Sequence, residues 1–335
     1  MPRYDFASDN TGPAAPEAMR ALADANVGFA PGYGADPVTG RAADLVRELL
    51  DTDADVRFVG SGTAANAIAL TALARPFEAV LAHAHAHVCT DEAGAPGFFG
   101  QGVGLVPLPG AAGRIDPAAL NAALAEPEVS HRQPVAALSL TNATEYGAVY
   151  SEAALERLVA PAKAQGVGVH LDGARLASAA AAGFDLKRLG PLGVDILVLG
   201  GAKAGMPPTE GLVIFDKTLA RRIDNRLKQA GQLPSKARFL AAPFIGMLED
   251  GAYLRHAAHA NAMAKKLAAA MPFPVAHPVE ANTVFVTMDG PALERLHAAG
   301  WFVYRFLDGA VRFVCSWATS EAAVEELAEA LRAVP

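Results

Sequence analysis

The sequence has little cysteine, no excess of basic residues and no long apolar run. Its 335 residues include two cysteines, Cys89 and Cys315, which excludes a disulfide framework and indicates a reducing, cytoplasmic setting. The formal net charge of −7 provides no positive field for nucleic acid or acidic lipid. No apolar run reaches the length of a membrane span, and the amino-terminal MPRYDFASDN lacks the apolar core of a signal peptide. We therefore expect neither a nucleic-acid nor a membrane partner.

The composition is typical of a compact globular protein. Hydrophobic residues make up 52% of the chain and charged residues 19%, which argues against disorder. A chain of this length is long for a single core, so one large and one small domain are expected. We place an amino-terminal arm at residues 1–35, a large domain at 36–240 and a small carboxy-terminal domain at 241–335.

Two short apolar runs end in charged residues, and the rest of the chain is organised around them. Residues 167–171 predict a buried strand that is followed by the motif DGAR. Residues 196–199 predict a second strand that is followed by GGAK. Open α/β sheets bind ligands at the carboxyl ends of their strands, so Asp172 and Lys203 are candidate site residues. A structural ion pair between these two side chains is the alternative explanation.

A glycine-rich loop, GSGTAAN, follows a strand predicted at residues 56–59 and opens the next helix. Glycines at a helix start let the backbone close around a phosphate. The pattern also fits a dinucleotide-binding fingerprint, which needs an acidic residue at the end of the following strand. That strand, residues 79–82, ends in a histidine instead, so the dinucleotide alternative is disfavoured. A phosphate cup at Gly62 and Thr63 fits the sequence better.

Three histidines at alternate positions form the next unusual feature. His83, His85 and His87 would share one face if this segment were a strand, which suggests a metal site. No carboxylate pattern accompanies them, and histidines at the surface end of a strand are the simpler interpretation. We therefore predict no bound metal.

The carboxy-terminal region is expected to form the small domain. Residues 241–271 predict one long helix, and strands are predicted at 282–288 and 311–316. The last of these strands places Arg312 inside an apolar run, where a guanidinium needs an anionic partner. That partner is either a structural acid or the carboxylate of a substrate held by two hydrogen bonds.

Several motifs together resemble a known family of enzymes. HLDGAR, followed about 30 residues later by the strand-end lysine, resembles the core of fold-type I pyridoxal-phosphate (PLP) enzymes. HAHVCTDEAGAPGFF, TNATEYG and RFVCSWAT resemble segments of L-threonine aldolases, in the branch that includes phenylserine aldolases. The resemblance covers nearly the whole chain in order. It implies an α/β, fold-type I transferase-like architecture with a mostly parallel seven-stranded sheet and a small carboxy-terminal α+β domain.

The same resemblance implies how PLP is held. The lysine of that family carries the cofactor as a Schiff base, which selects Lys203, and its aspartate binds the pyridine nitrogen, which selects Asp172. A histidine stacks on the ring, which selects His87. The other expected cofactor contacts are Gly62, Thr63, Arg175, Lys228 and Arg238.

Other matching positions imply a substrate site for a small amino acid. Ser8, in SDNT, and Tyr33, in YGADP, lie in segments that recur in threonine aldolases. Ser8, Arg175 and Arg312 are expected to hold the substrate carboxylate. His85 is expected to reach the substrate hydroxyl and to accept its proton, directly or through water.

The sequence departs from the family pattern at two places. Gly97 stands where a glutamate is expected, and TNATEYG lacks the histidine that other threonine aldolases carry in this segment. Thr144 cannot act as a base at neutral pH, so the identity of the base stays open. The choice between threo and erythro substrates is not readable from the sequence either.

The expected function is PLP-dependent cleavage of L-threonine, L-allo-threonine and phenylserine to glycine and an aldehyde. The alternatives are an aminotransferase, a serine hydroxymethyl transferase or a non-catalytic PLP-binding protein. LPSKARFL resembles a loop that reaches the cofactor phosphate of a neighbouring subunit, through Arg238 and more weakly Lys228. A homodimer or homotetramer with shared active sites is therefore expected.

Overall fold

The structure, a computed structural model, describes residues 2–334 and contains two β-sheets. Seven strands form the larger sheet in the order β1-β7-β6-β5-β4-β2-β3. Their bounds are β1 Asp55–Val59, β2 Ala79–His83, β3 Gly104–Leu108, β4 Val135–Thr141, β5 Gly168–Gly173, β6 Ile196–Gly200 and β7 Glu210–Ile214. Only β7 runs antiparallel to its neighbours. The predicted mostly parallel seven-stranded sheet is confirmed.

The central strands are buried along their whole length. Every residue of β2, β6 and β7 is buried, and these strands read as continuous apolar runs because helices cover both faces. The parallel strands β2, β4, β5 and β6 end at one edge of the sheet. Residues that follow them therefore meet at that edge.

Fourteen α-helices lie among the described residues. Ten of them precede or cover the large sheet: α1 Pro16–Asp24, α2 Pro37–Leu50, α3 Gly62–Leu73, α4 His87–Thr90, α5 Ala95–Phe99, α6 Pro117–Leu124, α7 Glu152–Ala164, α8 Leu176–Ala181, α9 Leu189–Leu192 and α10 Ala220–Gln229. The other four are α11 Arg238–Leu248, α12 Ala252–Ala270, α13 Gly290–Ala298 and α14 Glu321–Arg332. Short 3-10 helices occur at 111–113, 186–188, 202–204 and 217–219. In α3, eight consecutive residues are buried, so this helix is enclosed rather than amphipathic.

The smaller sheet is antiparallel and has the strand order β8-β10-β9. Its strands are β8 Thr283–Val286, β9 Tyr304–Arg305 and β10 Val311–Val314. Phe313 of β10 and Leu327 of α14 are buried in its core, and the core also takes in Phe6 from the amino-terminal arm. The Phe6 carbonyl accepts a hydrogen bond from the Val314 N–H at 2.9 Å. The arm therefore lies across the body of its own chain.

The prediction of one long helix over residues 241–271 is wrong. The structure has two helices, because Gly251 adopts a left-handed conformation, with φ of 65°, immediately before α12. Glycine takes this conformation without the steric cost that other residues incur. The first of the two helices starts at Arg238, three residues before the predicted start.

The two hydrophobic cores meet within α12. Tyr253 and Ala257 belong to the core under the large sheet, whereas Met263 and Leu267 belong to the core of the small sheet. The domain bounds of 1–35, 36–240 and 241–335 stay a prediction. Within residues 2–334, no helix combines the length and the apolarity needed to cross a membrane.

Candidate active site

The ends of β5 and β6 approach each other more closely than side chains would allow. A Cβ on Gly173 would lie 2.5 Å from the carbonyl oxygen of Val198, and a Cβ on Gly200 would overlap the backbone of Ala174. Atoms that are not bonded do not approach so closely, so both positions require glycine. This contact brings Asp172, near the end of β5, and Lys203, just after β6, to one place.

Asp172 is a buried carboxylate that the protein holds in its charged form. One of its oxygens accepts from the N–H of Ala174 at 2.9 Å, and the other accepts from the side-chain amide of Asn66 at 2.9 Å. Burial raises the pKa of Asp172, but Lys203, His170 and the hydrogen bonds outweigh burial and hold the pKa below its usual value. In the described chain, Lys203 forms no ion pair with Asp172 within 4.0 Å. The structural ion pair is therefore not formed.

The amide of Asn66 links Asp172 to the predicted stacking histidine. It donates its second hydrogen to Glu92 at 2.8 Å, and the same oxygen of Glu92 lies 2.9 Å from Nδ1 of His87. The hydrogen bond to Glu92 raises the pKa of His87. Sequence reasoning missed Asn66 and Glu92, although both lie inside motifs that it used. Their effect is to fix the orientation of the His87 ring.

The three histidines do not lie on one strand, so the condition for a shared face is not met. Strand β2 ends at His83, a turn follows, and His87 begins α4. The Nε2 of His83 lies 3.1 Å from the Gly110 carbonyl oxygen, and the Nδ1 of His85 lies 2.6 Å from the Tyr146 hydroxyl. The rings therefore have separate partners. Residues 2–334 contain no cluster of three or more side chains suited to a metal ion.

Arg175 is engaged by an acid from the amino-terminal arm. Its Nε and one terminal nitrogen donate to the two oxygens of Asp9 at 2.7 and 2.9 Å. Asn282 also donates to Asp9, at 3.1 Å. Burial lowers the pKa of Arg175, but Asp9 outweighs burial and the net shift is upward. Two donors of Arg175 are thus used before any substrate binds, and the arm segment that carries Ser8 is fixed beside it.

Arg312, in contrast, has no acidic partner among the residues that the structure describes. The residue is 8% exposed, and one terminal nitrogen donates to the hydroxyl of Tyr304. Across residues 2–334 its Nε finds no hydrogen-bond partner and no carboxylate lies within 4.0 Å. Burial lowers the pKa of Arg312, and repulsion by Arg175 lowers it further. A buried cation of this kind needs an anion, and its planar donors match a carboxylate.

A cavity of about 370 Å³ is bordered by Arg175 and Arg312 and also by Lys203 and His87. Its walls come from the strand ends of the large sheet, from the amino-terminal arm and from the small sheet. Its lining residues are Ser8, Asn10, His87, Asp91, Glu145, Arg175, Lys203, Tyr304, Arg305, Phe306, Leu307 and Arg312. The volume lies in the usual range for a small-molecule site.

Glu145 is a buried acid in the cavity lining that was not predicted from the sequence. It follows β4 and is 9% exposed, and its Oε1 accepts from the backbone N–H of His87 at 2.8 Å and from the Thr141 hydroxyl at 3.3 Å. Its Oε2 is buried and has no partner in the part of the chain that is described. Burial and the nearby charge of Asp172 raise the pKa of Glu145 to about 7. The only signal in the sequence was an acid just after a buried strand.

The remaining expected residues lie outside this cavity lining. Gly62 and Thr63 form the start of α3, where Ser61 caps the Ala64 N–H at 3.3 Å. Tyr33 lies under the ammonium of Lys228, which is 4.5 Å from the ring centroid. From the sequence we expected Gly62, Thr63, Lys228 and Arg238 to contact the cofactor and Tyr33 to lie in the substrate site. These roles stay predictions.

Comparison with known proteins identifies the family. Residues 5–291 match the beta-eliminating lyase family. The chain is 45% identical to a low specificity L-threonine aldolase of a Pseudomonas sp., over 98% of this chain and 97% of that protein. It is 44% identical to a protein of the same description from Pseudomonas aeruginosa, over 98% and 97% of the two chains.

A solved structure gives the same result at the level of the fold. The structure of Leishmania major threonine aldolase superimposes with a TM-score of 0.93 at 32% identity, and the alignment covers 99% of this chain and 100% of that one. This likeness over both sheets confirms the predicted fold class. The chain belongs to the beta-eliminating lyase family, in the group that contains the low specificity L-threonine aldolases.

Proposed function

We propose that the protein is a PLP-dependent aldehyde-lyase that cleaves L-threonine, L-allo-threonine, phenylserine and related L-β-hydroxy-α-amino acids into glycine and an aldehyde. Family membership supports this activity, because relatives 44% and 45% identical are low specificity L-threonine aldolases. The observation that carries the proposal is Arg312. Its buried guanidinium, without an acid in the described chain, borders the same cavity as Lys203. An α-amino acid offers the carboxylate and the amine that these two groups would bind.

The residues at the strand ends fit the cofactor of this family, pyridoxal 5′-phosphate. A buried and ionised Asp172 is suited to hold a proton on a pyridine nitrogen. The first N–H groups of α3, at Gly62 and Thr63, have no partner within their helix and are suited to a phosphate. A Cβ on Gly62 would meet only the Glu210 Oε1, at 4.0 Å, so the loop leaves open space there. Lys203 would hold the cofactor covalently, and His87 would stack on its ring.

The chain's own side chains supply the geometry of the reaction. When bound, PLP provides an electron sink for the pair left on Cα. Arg312 holds the substrate carboxylate and so sets the orientation of the Cα–Cβ bond. Arg175, fixed by Asp9, adds a second positive group to the same wall. The amino group of Lys203 borders the cavity and is suited to exchange the proton at Cα.

The sequence prediction that His85 accepts the hydroxyl proton requires a relay in this geometry. His85 is not among the residues that line the cavity, and its Nδ1 is used by the hydroxyl of Tyr146. A water molecule between its other nitrogen and the substrate would complete the path. The role of His85 stays a prediction.

We further infer a homodimer or homotetramer in which subunits complete each other's sites. Residues 26–33 are exposed throughout, and the ring of Phe29 is fully exposed. An apolar side chain in this position gains from burial against a second copy. In the described residues the buried Nε of Arg238 has no partner, which suits a group that binds a ligand of the neighbouring subunit.

We also infer a cytoplasmic location, because Cys89 and Cys315 are free.

Product analysis tests the proposed function. Purified protein with added PLP would be mixed separately with each of the four threonine stereoisomers and with phenylserine. We expect aldehyde and glycine from L-threonine, L-allo-threonine and phenylserine. Keto acid as the main product would favour an aminotransferase, and preferential cleavage of D-threonine would contradict the proposal.

A further inference from the structure

Glu145 is a carboxyl group at the substrate cavity whose second oxygen is unused. Its Oε1 is fixed by the His87 N–H and the Thr141 hydroxyl, so the side chain is oriented. Its Oε2 is buried without a hydrogen-bond partner among residues 2–334. A buried carboxyl oxygen left without a donor is costly, and such atoms in native structures call for an explanation. A substrate hydroxyl would supply the missing donor.

The other polar groups of the cavity have different assignments. Lys203, Arg175 and Arg312 are cations and accept no hydrogen bond from a hydroxyl. His87 directs Nδ1 at Glu92. Asp91 is exposed at the rim and accepts from the hydroxyl of its neighbour Thr90 at 2.7 Å. Among the described lining residues, Glu145 is thus the one buried carboxyl group.

We propose that Glu145 is the catalytic group that takes the β-hydroxyl proton of the substrate during cleavage and returns it during aldol addition. The assignment rests on the proposed aldolase function. As the proton moves to Glu145 Oε2, the O–H electron pair becomes the second C–O bond of the aldehyde. The Cα–Cβ bond breaks at the same time, and its electron pair stays with the glycine Cα, where the cofactor accepts it. In the reverse direction the protonated carboxyl donates the same proton to the new alkoxide.

The buried environment of Glu145 gives its carboxyl group a pKa that suits proton transfer in both cleavage and aldol addition. A pKa of about 7 leaves comparable amounts of acid and base near neutral pH, which is the efficient range for a group that gives and takes protons. Cleavage needs the ionised form, so its rate rises as pH increases through about 7. Aldol addition needs the protonated form, so its rate falls as pH increases through about 7. The charged and titratable groups that act on or with Glu145 are Asp172, Arg175, His87, Cys89, Tyr146 and Tyr150, and Lys203 and Arg312 border the same cavity.

Glu145→Gln tests the assignment in the loaded enzyme. It keeps the size and the hydrogen-bond acceptor of the side chain but removes the base. We expect kcat for aldehyde release to fall by about 10²-fold or more, the usual contribution of such a group, with little change in KM. The pH dependence of cleavage near 7 should flatten. Glu294→Gln, the same change at an exposed residue of α13 that does not line the cavity, should stay within about threefold of wild type.

Two further measurements separate proton transfer from a structural role. Exchange of the glycine Cα protons with deuterated water, followed by NMR, involves no hydroxyl and should survive in Glu145→Gln. Infrared difference spectra across pH 7 of the protein without substrate should contain a carboxyl signal from Glu145, which Glu145→Gln removes, and one from Glu210, whose pKa burial also raises to about 7 and which should remain. Glycine exchange that falls as much as cleavage would show a structural role and overturn the assignment.

The remaining outcomes are also decisive. A wild-type protein that releases aldehyde, together with an unimpaired Glu145→Gln, would overturn this assignment alone. A His85→Asn variant that loses more cleavage than Glu145→Gln would transfer the role to His85. A wild-type protein that releases no aldehyde from any of the substrates would overturn the proposed function and this assignment together.

Discussion

Arg312 is a buried cation whose counter-charge is not supplied by the described chain. It lies under the rings of Tyr304 and Phe306, which are 4.9 and 4.8 Å from its central carbon. These aromatic contacts and one hydroxyl hold the guanidinium in place but do not neutralise it. Among the described residues this charge has no acidic partner, and a substrate carboxylate would supply one.

The consequence is testable by removing this charge. Arg312→Gln would remove the proposed interaction with the substrate carboxylate, and a hydrogen bond to a charged group contributes roughly 1.5–3 kcal/mol. We expect KM for L-threonine to rise about 10–100-fold, measured by aldehyde release. Arg295→Gln is the control, because that guanidinium bonds the Val334 carbonyl at 2.9 Å and does not border the cavity. An unchanged KM in Arg312→Gln would contradict the carboxylate role.

Lys203 is predicted to be the residue that carries the cofactor. Lys203→Ala should abolish steady turnover, because no amine remains to bind the cofactor covalently. Borohydride reduction of wild type followed by peptide mass mapping should find the cofactor on the peptide that contains Lys203. Lys236→Ala, at an exposed residue of a loop, should keep this adduct. Wild-type turnover in Lys203→Ala would disprove the role.

At the scale of elements, the close contact between the ends of β5 and β6 determines the positions of Asp172 and Lys203. Gly200→Ala would force the Cβ into the backbone of Ala174, and backbone cannot move aside as a flexible side chain can. We expect a loss of about 1–3 kcal/mol in the free energy of unfolding and a weaker retention of cofactor. Denaturant melts and cofactor titration measure both.

A matched substitution in a helix provides the control for this prediction. Gly40 lies within α2, and no atom is within 4 Å of its Cβ position. Gly40→Ala should stabilise the protein by about 0.5–1 kcal/mol, since alanine loses less conformational entropy in a helix. A Gly200→Ala variant as stable as wild type would show that the contact is not required.

The elements differed in how well their sequence predicted them. Strands β5 and β6 were predicted because a buried parallel strand needs an uninterrupted apolar run, which is visible locally. The break at Gly251 was missed because its surroundings, rich in helix-forming alanine, favour a continuous helix. The hydrogen bonds between Asp9 and Arg175 join residues 166 positions apart, and nothing local in either segment indicates them. Glu145 was missed for a related reason, since the His87 N–H that it binds follows a different strand, and only its partner Thr141 is close in sequence.

At the scale of the whole molecule, the predicted sharing of sites between subunits has a direct test. If Arg238 serves the neighbouring subunit, mixing Lys203→Ala with Arg238→Ala subunits creates some sites in which both groups are intact. After random exchange of subunits, about half of the dimers contain one subunit of each variant, and one of the two sites in such a dimer has both groups intact. About a quarter of the wild-type number of sites should therefore be restored. Each variant alone is the control and should stay impaired. Failure of the mixture to gain activity, or full activity of a dilute monomer, would contradict shared sites.

The cavity is built from two kinds of wall, and this division bears on how selectivity changes. One wall holds residues that are linked to one another, such as His87 and the buried Glu145. The opposite wall, residues 304–307 of the small sheet, includes the exposed side chains of Tyr304, Arg305 and Leu307. Tyr304 and Phe306 in this wall hold Arg312, so mutational libraries confined to Arg305 and Leu307 are the ones free to alter which aldehyde is released while the chemistry stays constant. The same separation lets natural variation broaden or narrow the substrate range without rebuilding the reaction centre.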